Sequence, residues 1–137
     1  MIREAGFELD VRLASDTAFI ADRELCRVLL MDDARFPWLI LVPRRAGTAE
    51  LDDLDEDDRA LLMQEILAAM KTLREVAPCE KLNVGALGNI VRQLHVHVVA
   101  RREGDAAWPG PVWGQGRAQR YPPDARNALI TRLRSAL

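Results

Sequence analysis

Histidine is scarce in this chain: His95 and His97 are the only two among 137 residues. Cysteine is as rare. Its two copies, Cys26 and Cys79, form neither the dense pattern of a disulfide framework nor a metal-ligand spacing, and they fit reduced thiols. Net charge is only −2, so bulk electrostatics give no sign of a nucleic-acid binder, and no specific nucleic-acid partner is expected. No run of about 20 apolar residues exists to span a membrane. The opening stretch MIREAGFELD lacks an apolar signal core, so the expected location is the cytoplasm. No internal repeat or low-complexity tract interrupts the chain. A length of 137 residues fits one domain, 1–137, with a core of its own.

What is present is a clear order of patterns. FELDVRLAS (7–15) reads as a short helix or turn. TAFIADRE (17–24) and CRVLLMDD (26–33) read as two strands joined by a tight hairpin near Asp22, and WLILVPRR (38–45) as a third strand ended by Pro43. Residues 50–58 hold seven carboxylates in nine positions. A cation site is one explanation; a helix start, where carboxylates cap free amides and favour the positive end of the dipole, is the better one. Leu61, Leu62, Ile66, Leu67, Met70 and Leu73 follow at helical spacing, which predicts an amphipathic helix over 55–76 ended before Pro78. EKLNVGALG (80–88) reads as a fourth strand entering a glycine-punctuated loop, and a fifth strand is expected at 91–100. RREGDAAWPGPVWGQG (101–116) is a structured loop, and 122–137 a closing helix with Pro123 in its first turn. Sequential strands with short connections predict an antiparallel sheet covered by helices, an α+β domain.

The stretch NIVRQLHVHVV (89–99) spends both histidines on alternate positions of an apolar, β-branched run. Strand geometry puts Gln93, His95 and His97 on one face and Leu94, Val96 and Val98 on the other. Three explanations stand: a half-exposed strand with its polar face in water, a metal chelate, or histidine chemistry. Zinc wants three or four ligands, and no third histidine exists. Imidazole is largely neutral and nucleophilic near pH 7, and a strand fixes the separation of two rings better than a loop does.

QLHVHVV resembles the signature of the histidine triad (HIT) superfamily, His-apolar-His-apolar-His followed by two apolar residues. Gln93 stands at the first histidine, while His95 and His97 match the second and third. LLMDDARFPWLILVPRR resembles the strand, turn and strand that begin the family's nucleotide pocket, LNVGALGNIVRQ its loop before the motif, and WPGP the tryptophan-proline loop of one branch. The likeness covers roughly residues 15–113. It implies a five-stranded antiparallel sheet with one long helix and a C-terminal helix, two copies paired as a homodimer, and a purine nucleotide or nucleotide conjugate as substrate, with no cofactor or metal. It implies hydrolysis or nucleotidyl transfer at the α-phosphorus through a phosphohistidine intermediate on His95, with His97 on the phosphate oxygens. It also implies a ribose contact from Asp32 and a phosphate site lined by Asn83 and the backbone of Gly88, Asn89 and Ile90. Trp108 and Trp113 would sit in a loop reaching a partner subunit's site. Three positions depart from the pattern. Gln93 can hydrogen-bond but cannot carry a proton. Trp38 stands where another pocket histidine would be placed, and Ile90 where the family has Ser or Thr. Arg92, Arg101 and Arg102 flank the motif and can add positive potential. The alternative function is a nucleotide-binding or sensing module with little turnover.

Overall fold

The computed structural model describes residues 5–137. A short helix, α1 (Val11–Asp16), leads into β1 (Thr17–Asp22), β2 (Cys26–Met31) and β3 (Trp38–Pro43). A 3-10 turn (Leu51–Asp53) precedes the long helix α2 (Glu56–Val76), followed by β4 (Lys81–Gly85), β5 (Val96–Arg101) and α3 (Pro123–Ala136). The five strands form one antiparallel sheet in the order β1-β2-β3-β5-β4, the α+β architecture expected from the sequence. No helix among the described residues is long and apolar enough to cross a membrane.

The acidic run starts α2. Asp55 is the N-cap, its carboxylate accepting from the Asp58 backbone N–H, and Glu56, Asp57 and Asp58 fill the first turn. The stripe Leu62, Ile66, Ala69 and Leu73 packs against the sheet residues Leu39, Leu41, Val96 and Val98. Each such leucine, isoleucine or valine contributes about 2 kcal/mol by leaving water. Glu65 is also buried in this layer, where its carboxylate accepts from the Leu25 and Cys26 N–H groups at 2.9 and 2.8 Å and ties α2 to the β1–β2 hairpin. Burial pushes the neighbouring Cys26 thiol far up, so it stays protonated and inert.

The opposite face of the sheet carries a second cluster, in which Leu29, Trp38, Ile40 and Val99 are covered by Leu13, Phe36 and Val112. The site is built on this face, away from α2.

The fifth strand is shorter than its composition predicts. A strand over 91–100 is expected, but the ladder begins at Val96. The reason lies in the neighbours. β5 pairs with β3 from Leu41↔Val96 to Trp38↔Val99, so extending it would set Leu94 against Pro43, which has no N–H to offer. On the other side, the chain leaves β4 at Gly85, opposite His97. Leu94 instead donates its N–H to the Thr48 carbonyl at 2.9 Å.

Candidate active site

His97 projects from β5, and His95 lies one residue before it. Their rings meet edge to face with centroids 4.9 Å apart, and both residues are buried, 7% exposed at His95 and 5% at His97. His95 Nδ1 lies 2.7 Å from the Gln93 carbonyl oxygen. A carbonyl can only accept, so Nδ1 carries a proton, and in the neutral ring the free lone pair is on Nε2. His97 has a different partner: the Trp38 indole N–H donates to its Nδ1 at 3.0 Å. Burial, with a smaller contribution from neighbouring His95, lowers the His97 pKa from 6.5 to about 3, so this imidazole is neutral at ordinary pH. Trp113 from the C-terminal loop packs edge-on against His97 at 5.3 Å and against Trp38 at 6.5 Å.

Two adjoining clefts open at the pair and share Leu87. The larger, about 430 Å³, has His97, Trp38, Trp113 and Ile90 in its wall and Asp32 and Arg35 among its polar groups. The smaller, about 240 Å³, is lined by His95, Gly88 and Leu94 together with Glu50 and Asp52. This arrangement offers a nucleophilic nitrogen, a neutral ring beside it and an apolar slot of the size that takes a flat heterocycle.

The sequence-predicted residues divide. His95, His97, Gly88 and Asp32 line the two clefts. The Asp32 carboxylate already accepts from the Tyr121 N–H at 2.9 Å and from Arg120 at 3.0 Å, holding the C-terminal segment in place. Gln93 sits behind the pair. Its side chain accepts from the Asp10 N–H and donates to the Glu8 carbonyl, both at 2.8 Å, and so fastens the N-terminal segment. Asn83 is two pairing positions from the one opposite His97, but its side-chain oxygen accepts from Arg101. Trp108 stacks over the same guanidinium at 5.6 Å, outside both clefts. Asn89 is exposed and lines neither cleft. Arg101 itself is buried and engaged by Asp105 through two hydrogen bonds, so it supplies the site with no free charge. Arg35, Leu87 and Val112 belong to the larger cleft without a sequence signal that marks them. Asp33 lines it too, and its carboxylate accepts from Arg35 and from the Gln119 N–H. The described residues contain no cluster of three or more histidine, cysteine or carboxylate groups placed to hold a metal ion.

A five-stranded antiparallel sheet that lifts two touching imidazoles from one edge of a strand into a cleft defines a class, and the family comparison names it. Residues 12–104 match the HIT domain, and the chain belongs to that family. It is similar over nearly its whole length to the crystal structure of a histidine triad protein from Sinorhizobium meliloti. That likeness has 48% identity and a TM-score of 0.95, and it covers 98% of this chain and 99% of the other. A histidine triad protein from Marinobacter aquaeolei is 41% identical with a TM-score of 0.93, covering 96% of each chain. Among curated proteins, an AP-4-A phosphorylase from Mycobacterium tuberculosis is 33% identical over 99 residues, 68% of this chain. The chain spans about half the length of that relative.

Proposed function

We propose that this protein hydrolyses or transfers nucleotidyl groups at the α-phosphorus of a purine nucleotide conjugate, through a covalent intermediate on His95. The observation that carries this is the 2.7 Å contact of His95 Nδ1 with the Gln93 carbonyl, which in the neutral ring leaves the Nε2 lone pair as the nucleophile at a cleft. In the first step Nε2 attacks phosphorus, and the bond to the leaving group breaks with its electron pair; a proton from water neutralises the departing group. In the second step water attacks the same phosphorus, the P–N bond breaks and the imidazole is regenerated. The base lies in the larger cleft among Trp38, Ile90 and Trp113, with the phosphate over the two histidines and the loop at Gly88. The AP-4-A phosphorylase relative supports a nucleotide as substrate.

His95→Ala is expected to reduce turnover of adenosine phosphoramidate or diadenosine polyphosphate at least 10³-fold while leaving the circular-dichroism spectrum unchanged. Turnover within a few-fold of the wild type would remove His95 from the mechanism.

A second function, nucleotide binding with little turnover, is favoured by one feature: the Gln93 side chain is committed to the N-terminal segment and moves no proton. Micromolar nucleotide binding without product distinguishes it. In either case two copies pair through the open edge of β4 and the adjoining face of α2. There Met63 and Val84 are 56% and 44% exposed and flank an apolar groove of about 380 Å³.

A further inference from the structure

We propose that Trp38 is a positioning residue for His97: its indole N–H holds the imidazole in the neutral tautomer whose proton sits on Nε2, the nitrogen turned away from Trp38. An indole nitrogen donates and cannot accept. The 3.0 Å bond therefore makes Nδ1 the acceptor, and a neutral ring then carries its hydrogen on Nε2. Protonating Nδ1 would set two N–H hydrogens against each other inside a site where His97 is 5% exposed.

The packing around the ring enforces the same state. Trp113 closes over His97 at 5.3 Å, and it can do so because Gly85, the residue paired with His97 on β4, has no side chain. A Cβ on Gly85 would stand 3.2 Å from the Trp113 ring. The groups facing His97 are thus His95 from the same run, Trp38 from β3 and Trp113 from the C-terminal loop, and neither tryptophan titrates. The ionisable groups across the cleft are Asp16, Asp32, Asp33, Arg35 and Arg120. Asp32 and Asp33 are held by Arg120 and Arg35.

The consequence is a matched pair. The carbonyl partner of His95 leaves its Nε2 bare, and the indole partner of His97 leaves its Nε2 protonated, with the rings 4.9 Å apart. One ring is set to attack and the other to donate a hydrogen bond to a non-bridging oxygen without itself changing charge. The assignment of that oxygen rests on the nucleotidyl chemistry proposed above; the tautomer does not.

The test is a two-bond ¹H–¹⁵N spectrum of histidine-labelled protein, in which the only two imidazoles are told apart with His95→Ala. The wild type is expected to show the Nε2–H pattern at His97 from pH 5 to 8. Trp38→Phe removes the donor and keeps an aromatic ring. It is expected to give mixed Nδ1–H and Nε2–H tautomers of a still neutral His97, with kcat about tenfold lower and KM within about twofold. An Nδ1–H pattern at wild-type His97 overturns the proposal, and this holds even where Trp38→Phe does not fold. So does a folded Trp38→Phe with the wild-type tautomer. A wild type that turns over no nucleotide conjugate counts against the nucleotidyl chemistry and leaves the spectrum to decide the tautomer.

Discussion

His95 and His97 differ by two positions and by everything their nitrogens touch. A backbone carbonyl sets one ring and an indole sets the other, so two chemically identical side chains hold opposite tautomers. Neither partner was legible in the QLHVHVV run, because both are contacts fixed by folding: one by the bend that precedes β5, the other by the register that brings β3 beside β5. Burial at His97 has a further consequence for stability. Its folded pKa is about 3 against an unfolded value near 6.5. Between those values the unfolded chain binds a proton that the folded protein refuses. Stability is therefore fully present above pH 6.5 and falls as pH drops toward 3, with a slope of up to about 1.4 kcal/mol per pH unit from this residue. Urea denaturation at several pH values is expected to show a shallower acid loss in His97→Gln. Gln93 acts at the same scale in a different role. Gln93→Ala removes two hydrogen bonds to residues 8 and 10 and is expected to cost about 1–2 kcal/mol, read as a lower denaturation midpoint.

At the scale of elements, most of the architecture could be read from the chain. The acidic run capped α2 because the residues after it kept helical spacing, and the third strand ended at Pro43 as its sequence required. The start of β5 could not be read, because alternation records which residues favour a strand and not whether a neighbour has an N–H to pair with. Asn83 and Trp108 were placed in the site by resemblance, yet both turn to Arg101. That buried guanidinium, held by Asp105 and stacked on Phe36 and Trp108, had no signature among the exposed arginines around it. The hydrogen bonds that the Asp105 carboxylate accepts from Arg101 lower its pKa to about 2 against the opposing effect of burial, so the pair persists well into acid. The link between α2 and the first hairpin is equally silent in sequence. Glu65→Ala would strand the Leu25 and Cys26 N–H groups in the core. It is expected to cost about 3 kcal/mol, seen in chemical denaturation.

At the scale of the whole molecule, the sheet separates its duties. One face packs on α2 and α3 and holds the fold together. The other supports the histidine pair beneath the N-terminal segment and the C-terminal loop. The exposed apolar groove on β4 and α2 is where a second copy is proposed to sit. Light scattering is expected to give twice the 15.4 kDa chain mass, and Val84→Glu together with Met63→Glu to return it to the single-chain value. Intact mass spectrometry of a quenched single turnover reads out the proposed bond between His95 and phosphorus. Adenosine phosphoramidate or diadenosine polyphosphate should add one nucleotidyl mass to the wild type, and that mass should vanish in His95→Ala. Turnover without any adduct, or an adduct that survives in His95→Ala, would contradict the account.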